Sequence, residues 1–236
     1  MNYNKELILG DIHGRTCWKY IIEKEQPDHV IFLGDYVTTH EHVSAEQQVQ
    51  NFNDILDYKM KHPDTIMLTG NHDCQMMGYS WAEMSGWDVH LYHLLKEDYF
   101  KDKMLEFAQM AYVDGNIIYS HAGISDYWLK QVVCLEKPED VCNLSPNELF
   151  GYNYLTGYGE GYGNSISQSP IWIRPIALTK SILNGYTQVV GHTPIERIVN
   201  IKDINPECTE NIYLCDKLPD QYLIRENNQF IVKNNG

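Results

Sequence analysis

Five short clusters, each closing an apolar run, constrain this chain more than any other feature. They read GDIHG (10–14), GDYV (34–37), GNHD (70–73), SHAG (120–123) and GHTP (191–194). The runs before them include ELIL (6–9), HVIFL (29–33), TIML (65–68) and QVV (188–190), which have the length and continuous apolar character of buried strands. Residues 15–26 read as a helix ended by Pro27. Ser44 caps a second helix over about 45–61, with Phe52, Ile55, Leu56 and Met60 on one face. The β-α-β-α-β order predicts parallel strands joined by helical crossovers. Such sheets place their chemistry in the loops at strand ends, so the five clusters can converge.

Further along, 88–110 reads as helix, and AYVDGNIIYS (111–120) as two strands around Asp114-Gly115. Short helices are expected near 125–133 and 145–150. Residues 151–169, rich in Gly and Tyr and without a basic residue, suit a mobile surface loop. NIYLC (211–215), QYLIRE (221–226) and QFIVK (229–233) read as closing antiparallel strands, with Asn227-Asn228 as a tight turn. This late β-rich part suggests a second sheet packed on the first. With 236 residues, 43% of them hydrophobic, one α/β domain over 1–236 is expected.

The residue types in the clusters select a chemistry. Asp11, His13, Asp35, Asn71, His72, His121 and His192 make a ligand set for two metal ions with one histidine to spare. Asp11 and His13, two apart, can aim at one cation, and Asp35 is the natural bridging carboxylate. Asn71, His121 and His192 complete the second site. Mixed carboxylate, amide and imidazole ligation suits Mn, Fe or Zn and tolerates Mg; Mn is the leading expectation. Two divalent ions about 3.5–4 Å apart polarise a bridging water towards hydroxide and clamp phosphoryl oxygens. His72, directly after Asn71, is then the candidate general acid for the leaving oxygen.

Charge and leader signals narrow the partners. The formal net charge is −14, from 18 basic and 32 acidic residues, which repels nucleic acid and anionic membranes. A phosphate-handling site on such a chain needs local cations, which bound metals supply. No apolar run is long enough to span a membrane, and the N-terminal residues carry no signal-peptide pattern. Six cysteines without a CxxC pair are expected to be reduced thiols. A cytoplasmic protein is expected, acting on a phosphorylated substrate.

The ordered clusters resemble the calcineurin-like metallophosphoesterase superfamily, over about residues 6–216. Within it they are most similar to the branch of bacterial and phage PPP-type serine/threonine phosphatases and symmetrical diadenosine tetraphosphate hydrolases. The resemblance implies a four-layer α/β/β/α sandwich with the dimetal site at the C-terminal ends of the strands. It also implies Asp11, His13 and Asp35 on the first metal, Asp35, Asn71, His121 and His192 on the second, and His72 as acid. WIRP (172–175) resembles the family segment that supplies a phosphate-clamping arginine, making Arg174 a candidate. One departure stands out. Where the family reads G-D-x-x-D-R-G, this chain reads GDYVTTH, so Thr38 replaces the aspartate that orients the histidine and Thr39 an arginine that grips phosphate. Asp73, His40, Glu41 or His42 are candidates to take over beside His72.

Three functions compete on this reading. The first is phosphomonoester hydrolysis, phosphoserine or phosphothreonine proteins included, by attack of a metal-bridging hydroxide. The second is cleavage of a dinucleoside polyphosphate or another phosphodiester, towards which GNHD leans and the scarcity of basic residues does not. The third is metal or phosphate binding without catalysis.

Overall fold

The computed structural model describes residues 3–39, 41–79, 85–146 and 163–235. Two sheets face each other. The first runs in the order β11-β10-β1-β2-β3-β4, built from β1 (Lys5–Leu9), β2 (His29–Phe32), β3 (Ile66–Leu68), β4 (Ala108–Gln109), β10 (Gln221–Glu226) and β11 (Gln229–Asn234). The second runs β5-β6-β7-β9-β8, built from β5 (Ala111–Asp114), β6 (Ile117–Ser120), β7 (Thr187–Val190), β8 (Val199–Asn200) and β9 (Ile212–Leu214). Strands β1 to β4 are parallel, and β6, β7 and β9 are parallel in the second sheet.

Period-two alternation sorts the strand side chains into layers. Ile8, Ile31, Leu33, Leu68 and Leu223 of the first sheet meet Ile117, Tyr119 and Val189 of the second in the central core. On the other face of the first sheet Leu7, Leu9, Val30, Phe32 and Met67 pack with Trp18 and Ile21 of α1 (Cys17–Glu25) and Phe52 and Ile55 of α2 (Ala45–Lys61). Outside the second sheet, Val190, Ile212 and Leu214 pack with Ala177 and Leu178 of α6 (Pro175–Leu178) and Ile201 of α7 (Ile201–Ile204). The α/β/β/α sandwich expected from the sequence is the fold observed.

Local chemistry sets the element ends. Helix α1 stops at Gln26 in a left-handed C-cap, one residue before Pro27. Helix α2 starts on a capping box: Ser44 Oγ accepts from the Gln47 N–H and Gln47 Oε1 accepts from the Ser44 N–H. Asn227 and Asn228, at φ 52° and 61°, form the positive-φ pair of a two-residue hairpin between β10 and β11.

Several expectations change. Met60 is exposed (56%) rather than on the buried face of α2. Eight residues after Phe52 it has rotated about 80° from it. The 88–110 helix is two, α4 (Val89–Leu95) and α5 (Glu97–Phe107), broken at Lys96 with φ 48°. The break lets α4 lie against α2 while α5 feeds β4. Residues 128–132 form a π-helical turn, and Pro138–Asn143 an unanticipated 3-10 helix; of the expected 145–150 helix, 147–150 lie outside the described residues. The final hairpin pairs with β1 in the first sheet, so it does not build the second, and β9 runs parallel to β7. Of the 151–169 loop, 151–162 lie outside the described residues, while Ser165, Gln168 and Ser169 are buried rather than on the surface.

Candidate metal centre

The loops that leave β1, β2, β6 and β7, together with α3 (Asn71–Met76) after β3, meet at one edge of the sandwich. Their backbone is bent tightly. His13, Asp35, Thr38 and His192 all have positive φ, four of the nine non-glycine residues that do so among those described. Such conformations cost about 1–3 kcal/mol each for non-glycine residues and persist only where surrounding contacts hold them. Two glycines make room for the carboxylates. A Cβ on Gly70 would land on Asp35 Oδ1, and one on Gly191 on Asp11 Oδ1.

The structure brings Asp11, His13, Asp35, Asn71, His72, His121 and His192 into one cluster. His13 Nε2 lies 3.9 Å from both Asp11 Oδ2 and Asp35 Oδ2. Asp35 Oδ2 is also 3.5 Å from His121 Nε2 and 3.9 Å from His72 Nε2, so it stands at the centre. Asn71 Oδ1 is 2.8 Å from His121 Nε2 and 3.0 Å from His192 Nδ1. Donors of His13, Asp35 and His72 lie within 4.8 Å of one another, as do those of Asp11, Asp35 and His121. Asp35 belongs to both groups, but they divide the other donors differently from the expected sets, with His72 beside His13 and Asp11 beside His121.

Hydrogen bonds to backbone carbonyls orient three imidazoles. His13 Nδ1 faces the Thr38 carbonyl at 2.6 Å, His121 Nδ1 that of Leu33 at 2.9 Å, and His192 Nε2 that of Trp172 at 3.2 Å. A ring nitrogen that meets a carbonyl carries the proton, which leaves the other nitrogen as a lone pair. Those lone pairs point at Asp11, Asp35 and Asn71 oxygens, which are also acceptors. Acceptor facing acceptor at 2.8–3.9 Å is satisfied by positive charge between them, either a second proton on the ring or a divalent ion, the ion at ligand distances of roughly 2.0–2.2 Å. The chemistry of the donor set therefore fits divalent metals.

Burial and charge act on the donors in opposite senses. Burial and the neighbouring His121 hold His192 well below the usual imidazole range, in the neutral form that ligates. Burial, Asp216 and Asp35 push Asp11 upwards. Burial also opposes ionisation of Asp35, but the His121, His72 and His13 rings in their protonated form, with the His72 N–H, outweigh it and hold Asp35 low. Asp216, not anticipated from sequence, lines the cleft and is raised by burial and by Asp35.

His72 has an unexpected neighbour. Its Nδ1 is 2.6 Å from Thr38 Oγ1, and that hydroxyl donates to the Val37 carbonyl. A hydroxyl has one proton, so Thr38 accepts from the Nδ1–H and leaves Nε2 facing Asp35. Of the other candidates, Asp73 accepts the backbone N–H groups of Asp35, Gly70 and Tyr36 at 2.8, 2.8 and 3.0 Å. Glu41 holds Arg15 and His42 is exposed, while His40 lies outside the described residues. Burial and Asp35 push Asp73 up to about 8, against the pull of those three donors.

The cluster opens into a cleft of about 590 Å³. Arg174 lines it, donating from Nη1 to the His192 carbonyl and Thr193 Oγ1 at 3.3 Å each, and burial lowers its pKa. Arg15 and Lys217 line it as well. Arg15 stands one residue beyond GDIHG, and only its closeness to that cluster could have flagged it.

The fold is similar to a protein serine/threonine phosphatase from Saccharomyces cerevisiae with similarity to human phosphatase PP5 (TM-score 0.60, 13% identity, 97% of this chain and 78% of that one). It is also similar to a metallophosphoesterase from Sphaerobacter thermophilus (TM-score 0.55, 13% identity, 98% and 87%). At such identity these likenesses speak for the fold alone. No curated protein sequence matches the chain. The family model for calcineurin-like phosphoesterase matches residues 7–217, which include all five clusters. The chain therefore belongs to the calcineurin-like phosphoesterases and is a metallophosphoesterase.

Proposed function

We propose that this enzyme hydrolyses phosphomonoesters with two divalent ions, one held by Asp11, His13 and Asp35 and the other by Asp35, Asn71, His121 and His192. The observation that carries this reading is the set of carbonyl-anchored imidazoles whose free nitrogens face carboxylate and amide oxygens. When bound, the ions supply Lewis-acid polarisation of the phosphoryl group and of the attacking water. The protein does the rest. Asp35 stands between the two ligand groups and draws them together. Thr38 accepts from the His72 Nδ1–H and so turns Nε2 into the cleft. Once the ring takes up a second proton as imidazolium, its Nε2–H is the one placed to pass to the leaving oxygen, and the ring returns to the neutral form. Arg174 offers N–H donors to the phosphoryl oxygens from the cleft wall. No side chain in the cluster is placed as a free nucleophile, so direct displacement by water is the proposed route.

Mn is the proposed metal and the cytoplasm the proposed compartment. No helix among the described residues is long and apolar enough to cross a membrane. Phosphoproteins are one proposed source of the monoester. A dinucleoside polyphosphate is the second reading, favoured by one observation. The cleft wall carries Arg15, Arg174 and Lys217, which offsets the low basic count of the chain.

The test is turnover of p-nitrophenyl phosphate by chelator-stripped protein before and after Mn is added. Mn-dependent turnover is expected, abolished by Asp35→Asn and reduced about 10²–10⁴-fold by His72→Asn. Metal binding without turnover of monoesters, phosphodiesters or dinucleotides would leave a binding protein and refute the proposal.

A further inference from the structure

Arg15 is a second arginine at the cleft, and its surroundings prepare it for an anion. It stands on the loop after β1, whereas Arg174 stands just before α6. Its Nε and Nη2 both meet Glu41 Oε1, at 2.8 and 2.7 Å, and its Nη1 donates to the Asp11 carbonyl at 3.1 Å. A guanidinium has five N–H donors. Three are used here, one on each nitrogen. One N–H therefore remains on each of Nη1 and Nη2, two charged donors for the oxygens of a phosphate. The side chain is only 17% exposed, so Arg15 is held within the cleft wall and does not sweep through solvent. Its carbonyl partner belongs to Asp11, which ties the guanidinium to the metal cluster. Neither Thr38 nor Thr39, which also line the cleft, brings a charge.

We infer that Arg15 is a phosphate-binding residue of this enzyme, gripping non-bridging oxygens of a phosphate group in the cleft from a loop other than the one that carries Arg174. Glu41 is its positioning residue: it holds the guanidinium plane while its own charge opposes the incoming anion. The inference rests on the phosphate-ester reading of the cleft, but it can fail independently of it.

The experiment measures binding of inorganic phosphate to the Mn-loaded protein by calorimetry, alongside Mn binding by equilibrium dialysis. Arg15→Ala is expected to weaken phosphate binding about 10–100-fold, the loss of charge-assisted hydrogen bonds, with Mn affinity retained. Arg15→Lys, which keeps the charge but not the two donors, should recover part of it. Glu41→Gln keeps an oxygen for Arg15 and removes the opposing charge, so phosphate should bind about 2–5-fold more tightly. In turnover, Arg15→Ala should raise KM for p-nitrophenyl phosphate more than it lowers kcat. Unchanged phosphate affinity in Arg15→Ala, or no phosphate binding by the Mn-loaded wild type, would overturn the assignment. Loss of Mn binding in both Arg15 variants would overturn it too, by making Arg15 a brace for the Asp11 loop. A wild type that binds phosphate through Arg15 yet hydrolyses no ester would sink the hydrolase reading and leave this one standing.

Discussion

At the scale of single residues, Thr38 is the informative position. It is β-branched, buried, and held at φ 64°, a conformation that side chains of its type avoid. What keeps it there is what it does: its carbonyl anchors His13 and its hydroxyl meets His72. Removing the hydroxyl with Thr38→Val should lower kcat about 10-fold with KM little changed, while Thr38→Ser, which keeps the oxygen, should stay near wild type. Thr38→Asp puts a carboxylate beside His72 in a residue that tolerates positive φ better, and Thr39→Arg adds a cation at the cleft. Each should raise monoesterase activity. Steady-state kinetics with p-nitrophenyl phosphate decide the point, and unchanged or lower rates in both would remove the idea that the two threonines limit the rate.

Among the elements, the short helix α3 organises more than its length suggests. Asp73 on its first turn gathers the N–H groups of Gly70, Asp35 and Tyr36, clamping the loop after β2 to the start of the helix. Asp35 Oδ1 in turn accepts the His72 N–H at 2.9 Å. The close approach this requires leaves no space for a Cβ at residue 70. Gly70→Ala should therefore displace Asp35 and abolish Mn binding, read by equilibrium dialysis. The contrast is Ser44→Ala on α2, an exposed cap that does not line the cleft. It should cost about 1 kcal/mol, or about 2–4 °C in Tm, and leave turnover alone. Equal Mn affinity in wild type and Gly70→Ala would show that the loop yields where we expect it to hold.

For the whole molecule, the site joins the two sheets. The Leu33 carbonyl of the first sheet orients His121 of the second, and Asp11 accepts the His192 N–H at 2.9 Å. The buried acids make that junction sensitive to pH. Asp11, Asp73 and Asp216 are raised in the fold, chiefly by burial, so from about pH 4 upwards the native state binds more protons than the unfolded chain. Stability then falls as pH rises. His192, lowered by burial, works in the opposite sense, but only up to the ordinary imidazole value near 6.5. Asp35, lowered, matters only below about pH 4. Above pH 6.5 the loss comes from Asp73, pushed up to about 8. Chelator-stripped protein should lose on the order of 1–2 kcal/mol between pH 6.5 and 8, about 2–8 °C in Tm. Mn, which binds the ionised carboxylates, should reverse the loss. A thermal melt that is flat or rises over that range without metal would contradict this account.

Much of this protein is written locally. A buried parallel strand needs an apolar run, and a strand-end turn that aims a ligand needs Gly beside Asp, Asn or His. All five clusters therefore show in the sequence before any contact is known, and with them the seven residues the fold brings together. Capping chemistry at Ser44 and the Asn227-Asn228 turn are local for the same reason. What depends on distant partners was not legible. Which sheet the last hairpin joins is decided by pairing with β1, more than 200 residues earlier in the chain. The break at Lys96 follows from packing α4 on α2. Asp73 reads as a spare carboxylate in GNHD, because its three donors include two from a loop that only tertiary structure brings to it. Arg15 and Asp216 join the cleft for the same reason: a cleft is a relation between loops, and no single loop encodes it.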